Sequence, residues 1–231
     1  MKKVIAIFGA GTGLSSSVAK QYGKKGYQVV LVARNQEKLD KLTNLIAQEG
    51  IEVFNFTADL SKADHSQKVV AEIIEKLGTI DSFYYAPNPQ DSFTPAQALT
   101  KSLLEPKFEL YFYGLINIIQ QIVPIYKEKG EGEILSAIGG TAAQGIAFMS
   151  GLGPVMAASR NYLQSLQQEL LQDHIHIGIV TINAIIQNSE TYNQVLTYNE
   201  DIQYPLADPD VLAELLIKTV NDDNRLEVFY P

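Results

Sequence analysis

Three glycines within five positions, Gly9, Gly11 and Gly13, stand between the apolar run Val4–Phe8 and a stripe of Leu14, Val18 and Ala19. Strand, glycine turn and helix together can hold a phosphate. Glycine allows the sharp turn and lets the backbone approach an anion, which then faces the free N–H groups and positive dipole end of the helix. A strand-to-helix turn that binds nothing is the plainer alternative. Other chemistry is thinly represented. The chain has no cysteine, which excludes disulfides, thiol catalysis and cysteine-ligated metals. His174 and His176 fall on opposite faces at a strand start and His65 lies far away in sequence, so no metal site is expected.

The elements that would position the glycine turn follow a regular rhythm. Gln28–Ala33 is a continuous β-branched run, and Asn35 then caps a helix carrying Leu39, Leu42, Leu45 and Ile46, which stops at Gly50. A third strand is expected over Ile51 to Phe56, a helix over Asp64 to Leu77 closed by Gly78, and a fourth strand over Ile80 to Tyr85. A long helix after Leu103 runs to about Lys129, with Pro124 bending its last part. The strand Glu133 to Ala137, the helix Leu152 to Leu171 and the strand Ile175 to Asn183 continue the alternation. Asn188 to Leu206 has no clear period and reads as a loop or small lid; Pro209 opens a last helix, and Leu226 to Tyr230 is a final strand. Such alternation implies right-handed crossovers and an α/β fold, a Rossmann-type doubly wound parallel sheet of about seven strands with helices on both faces.

Length and composition agree with a single domain over residues 1–231, since 46% of the residues are hydrophobic and no linker-like segment divides them. The net charge is −8 and the basic residues are scattered, which argues against nucleic acid as a partner. The apolar start is interrupted at Gly9 and reads as a core strand, not a leader, and no uncharged run reaches the roughly 20 residues of a membrane span. A cytoplasmic location is the expectation.

With these elements placed, the chain resembles the short-chain dehydrogenase/reductase family over nearly its whole length. The fingerprint TGxxxGxG corresponds to Phe8 through Ser15: Gly9 and Gly13 match, Ser15 replaces the last glycine, and Gly11, Thr12 and Leu14 lie within the turn. The resemblance implies that these residues bind a nicotinamide dinucleotide. Arg34 matches the basic residue that favours NADP(H) over NAD(H), and Ala33 stands where NAD-preferring members carry a carboxylate. A guanidinium pairs with a 2′-phosphate that a carboxylate would repel; a solvated surface arginine is the alternative. Asp59-Leu60 matches the pair that lies against the adenine, although Asp59 alone could cap a turn. Ser189 aligns with the threonine that bonds the nicotinamide amide, but Ala184-Ile185 replaces the usual Pro-Gly before it.

The resemblance breaks where catalysis would occur. Tyr85-Ala86-Pro87-Asn88 stands at the NNAG motif, and the family's asparagine, serine, tyrosine and lysine become Tyr111, Gly139, Leu152 and Met156. No Tyr-x-x-x-Lys occurs in the chain. The usual mechanism needs a tyrosine whose pKa a nearby cation lowers, and the lysine supplies that cation. Tyr111 is the first candidate for a replacement acid, with space filling or hydrogen bonding as its alternative role. Ser136 and Thr141 flank the lost serine and could polarise an oxygen. Three functions follow: an NADP(H)-dependent oxidoreductase with a divergent active site acting on an unidentified small molecule, a non-catalytic dinucleotide sensor or inactive partner subunit, or a scaffold that keeps the fold and binds nothing. The resemblance further implies a homodimer or homotetramer paired through the two long helices.

Overall fold

In the computed structural model, residues 2–88, 94–198, 205–221 and 226–231 are described. The first half runs β1 (Val4–Phe8), α1 (Leu14–Lys24), β2 (Gln28–Ala33), α2 (Gln36–Ala47), β3 (Val53–Thr57), α3 (Ala63–Leu77) and β4 (Ser82–Tyr85). Then come α4 (Lys101–Phe108), a π-helical segment (Glu109–Tyr113), α5 (Gly114–Lys129), β5 (Gly132–Gly139), α6 (Gly153–Leu170) and β6 (Ile175–Ile182). The chain ends with β7 (Ile185–Ile186), α7 (Glu190–Tyr198), β8 (Leu206–Ala207), α8 (Pro209–Asn221) and β9 (Glu227–Tyr230). The main sheet has seven strands in the order β3-β2-β1-β4-β5-β6-β9. Every pairing in it is parallel. β7 and β8 form a separate two-stranded pair.

Side-chain alternation divides the core. Ala6, Phe8, Val30, Val32, Phe83 and Tyr85 face one layer with α3, α5 and α6 residues. Their neighbours Ile5, Ile7, Val29, Leu31 and Tyr84 face the other with α1, α2 and α8 residues. Both faces are covered, so the strands are apolar runs and not alternating ones. As expected, Asn35 caps α2, its Oδ1 accepting from the Lys38 N–H at 2.9 Å, and Gly78 closes α3 at φ 83°.

Two sequence expectations need correcting. The long helix is not continuous: a π-helical segment, Glu109–Tyr113, separates α4 from α5, and Pro124 lies inside α5. The interruption turns Tyr111 into the core. Gly114 then brings α5 so close to the sheet that a Cβ there would collide with the Tyr85 hydroxyl and lie 2.5 Å from the Leu60 carbonyl oxygen. The second correction is α7, inside the stretch expected to be a loop or lid. Ser189 starts it, its Oγ accepting from the Tyr192 N–H at 3.1 Å. Its threonines and tyrosines are weak helix formers, which hid it from a period-based reading. The part of that stretch at positions 199–204 lies outside the described residues.

The last strand is fixed by charge. Arg160 on α6 reaches both carboxylate oxygens of Glu227 on β9, at 2.8 Å from Nε to Oε1 and 2.8 Å from Nη2 to Oε2. Thr181 donates to the same group at 2.5 Å and Gln164 at 3.1 Å. Burial opposes the charge of Glu227, but these donors outweigh it and hold its pKa below the ordinary value. A lowered folded-state pKa gives stability that is present above the unfolded value and lost as pH falls through the folded one. Glu227→Gln is therefore expected to lose about 1–3 kcal/mol at neutral pH. The difference from wild type should shrink below about pH 4, as measured by urea melts across acid pH.

Candidate functional site

The site lies where the strand order reverses. β1 sits between β2 and β4, and its last residue, Phe8, is level with Val32 on one side and Tyr85 on the other. Ligands of open parallel sheets bind in the crevice beyond such strand ends. The chain leaves β1 through Gly9 at φ 90°, where a Cβ would stand 2.5 Å from Pro87 Cα. Gly9 and Ala10 both donate to the Val32 carbonyl at 2.9 Å. Gly13, at φ 77°, is the N-cap of α1.

Among the described residues, no side chain caps that helix end. α1 has no acidic residue in its first turn, yet Leu14, Ser15 and Ser16 are buried. A buried helix start with unsatisfied N–H groups is the arrangement that accepts an anion. A pyrophosphate fits these donors. Gly11 contributes differently. Its N–H is held by Ser15 Oγ at 2.9 Å, and the same hydroxyl donates back to the Gly11 carbonyl at 2.8 Å. The serine that replaces the third glycine thus staples the turn, and Gly11 supplies shape, not a free donor. Thr12 is exposed.

The other expected binding residues surround this turn. Arg34 is exposed just past β2. Asp59 caps a turn: its Oδ1 accepts from the Ser61 N–H at 3.1 Å and the Ser61 hydroxyl at 2.8 Å. Burial works against the Asp59 charge, but Ser61 and the nearby Arg34 and Lys62 hold its pKa below the ordinary value. Leu60 is buried in the core. Ser189 packs over the turn; a Cβ on Gly13 would lie 3.2 Å from Ser189 Cβ. α7 is tied across the crevice by the Lys38–Glu190 ion pair at 2.8 Å and by Asn88 Nδ2 donating to Thr191 at 3.3 Å. These two ties had no sequence signal, because their partners are 103 residues or more apart.

The four altered catalytic positions lie toward β5. Gly139 and Met156 face each other, the Gly139 N–H pointing at Met156 Sδ at 3.3 Å. Leu152 directly precedes α6. Tyr111 is buried and its hydroxyl donates to the Ala137 carbonyl at 2.8 Å. Burial pushes the pKa of this phenol well above its ordinary value, the opposite of what a neutral-pH acid requires. Tyr85 behaves alike, its hydroxyl donating to the Leu110 carbonyl at 2.5 Å while burial raises its pKa. Tyr113 is exposed at the helix surface. Ser136 donates to the Tyr85 carbonyl at 2.9 Å and is thereby occupied. Thr141 is placed otherwise: it lines a cavity of about 290 Å³ beside the start of α6, together with Gln144, Ile146, Met149 and Ser150. His174 and His176 line a separate polar pocket with Lys3 and Asp81, far along the strands from this crevice. Among the described residues, no helix is long and apolar enough to cross a membrane.

Comparison with known proteins agrees with this geometry. An uncharacterised oxidoreductase of Listeria monocytogenes is 27% identical over 188 residues, covering 81% of this chain and 75% of that protein. The solved structure of L-sorbose reductase from Gluconobacter frateurii, complexed with NADPH and L-sorbose, superposes with a TM-score of 0.87 at 18% identity, covering 99% of this chain and 95% of that one. A metagenomic short-chain oxidoreductase in complex with NADP gives 0.82 at 18% identity, covering 99% and 96%. At such identities the structures speak for the fold. The profile described as short chain dehydrogenase matches residues 3–193, and with the sheet order it establishes that the chain belongs to the short-chain dehydrogenase/reductase family.

Proposed function

We propose that this chain is an NADP(H)-dependent reductase of a small molecule whose active site works without the family's serine, tyrosine and lysine. The observation that carries the reading is the buried, uncapped start of α1 under the Gly9–Gly13 turn. It offers a pyrophosphate the donors it needs at the crevice where a dinucleotide lies. Ala33 and Arg34, at the end of β2, favour a 2′-phosphate over a bare ribose. The two NADP- or NADPH-bound structures above share the fold. Direct titration is expected to show NADPH binding more tightly than NADH. Arg34→Ala should weaken NADPH by about tenfold or more, since a charge-assisted contact is worth roughly 1.5–3 kcal/mol, and leave NADH nearly unchanged. Equal affinities in the wild type would sink the preference.

A second reading, a dinucleotide sensor without turnover, draws on the tyrosines. Tyr85 and Tyr111 both donate to backbone carbonyls and neither is presented to a substrate. In either reading Tyr111 is a packing group. Tyr111→Phe is expected to lower stability by about 1 kcal/mol with NADPH affinity unchanged, by thermal melts and titration in parallel. A change in cofactor affinity without a change in melting would assign the phenol to the site instead.

We infer also that two copies pair through α4, α5 and α6. Phe108, Phe112, Tyr113 and Tyr162 form a connected aromatic cluster on these helices, with Tyr113 and Leu103 exposed. Apolar clusters of this kind mark protein interfaces. Light scattering should give twice the chain mass or more, and Tyr113→Glu should shift it toward the monomer.

A further inference from the structure

The cavity beside α6 is unusual for a reductase site in what its walls lack. Among the described residues that line its 290 Å³ there is no ionisable side chain. It opens next to the altered catalytic positions: Thr141 Oγ1 stands 3.8 Å from where a Gly139 Cβ would be and 3.7 Å from that of Gly153. The neighbouring hydroxyls of Tyr85, Tyr111 and Ser136 are all donated to main-chain carbonyls. Of the described residues lining the space, Thr141 and Ser150 carry hydroxyls, and Thr141 is the one beside Gly139. It can accept or donate a hydrogen bond, but an alcohol of this kind gives up no proton near neutral pH.

That arrangement discriminates between substrates by charge. When hydride adds to a carbonyl, a C–H bond forms and the C=O π pair becomes an alkoxide, which needs a proton in the same event. When hydride adds to an iminium, a C–H bond forms and the C=N⁺ π pair becomes the lone pair of a neutral amine. No proton is needed from the protein. The positive charge passes from the substrate nitrogen to the reduced nicotinamide dinucleotide that gives the hydride, so no new charge appears in the cavity. The described wall offers no proton to the first reaction, and the second asks for none.

We propose that this cavity takes a small cyclic imine as its iminium ion, with Thr141 Oγ accepting the hydrogen bond from the N–H⁺. The proposal rests on the reductase reading above. Ile146, Met149, Pro154 and Ala157 line the space, an apolar stretch that suits the hydrocarbon part of such a ring. Phe148 is held at φ 65°, in the left-handed region a bulky residue seldom adopts.

The test uses the whole protein with NADPH and three probes of one shape: 3,4-dihydroisoquinoline, its N-methyl iminium salt, which is charged at every pH, and 1-tetralone. NADPH consumption should be at least about a hundredfold faster with either nitrogen compound than with the ketone. The rate with the imine should fall as rising pH deprotonates the probe, and that with the N-methyl salt should stay level. Binding is measured separately by calorimetry in the presence of the tetrahydro analogue of NADPH, which cannot give hydride. Thr141→Val should raise the dissociation constant of the N–H iminium about tenfold more than that of the N-methyl salt, and Thr141→Ser should restore it. Ketone turnover equal to or faster than imine turnover overturns the proposal. So does the absence of turnover with all three probes while NADPH still binds. An equal effect of Thr141→Val on both cations removes the assigned role of Thr141. Failure to bind NADPH is a different result, because it sinks the reductase reading itself.

Discussion

The parallel pairing of β1 with β2 on one side and β4 on the other sets everything that follows. Phe8, Val32 and Tyr85 lie level, and β2 runs one residue further, to Ala33, so three chain segments leave the sheet at nearly one height. One of them must turn at once into a helix while another passes over it. Gly9 meets both demands, taking a positive φ while Pro87 presses on its α-carbon. Replace the glycine, and either the turn or the β4 exit has to move. The anion-ready end of α1 is a consequence of that geometry and not an added device.

Much of this was legible in the chain itself. Apolar runs of five or six residues between glycine-terminated helices could only be parallel strands covered on both sides. The Gly9–Gly13 turn, Asn35 as a cap and Gly78 as a terminator are local chemistry, so sequence alone places them. The unreadable parts depend on partners distant in sequence. Nothing near Glu109–Tyr113 announces a π-helical turn, and the bond that Tyr111 makes within it goes to the Ala137 carbonyl, 26 residues on. The helix Glu190–Tyr198 is similarly invisible to a periodic pattern: its cap, Ser189, is local, but Lys38 and Asn88 tie it from far along the chain. Asp59 shows a third kind of limit. Its residue type allowed two roles, adenine contact and turn cap, and only the Ser61 hydrogen bonds reveal that it performs the second.

Packing groups stand at the positions that the family resemblance sets against its catalytic residues. Met156 lies against Gly139 where a lysine and a serine would stand, and the sulfur takes up the Gly139 N–H. Met156 thus fills the space directly against Gly139, where a Cβ would lie 3.2 Å from its sulfur. Methionine is suited to such a place because its unbranched, polarisable chain fills irregular space. Thr141 lies beside Gly139 at the edge of the crevice, and the glycine turn at the start of α1 is a separate part of the fold.

The buried phenols also give this fold an upper limit in alkali. Tyr22, Tyr85, Tyr111 and Tyr126 are each held with a pKa raised above the ordinary value by burial. The unfolded chain releases these protons near pH 10, while the folded chain keeps them. Above that pH the folded state holds more protons than the unfolded one, so each further step toward base favours unfolding. The aromatic core that lets the sheet carry its helices at neutral pH is the same set of groups through which hydroxide would take it apart.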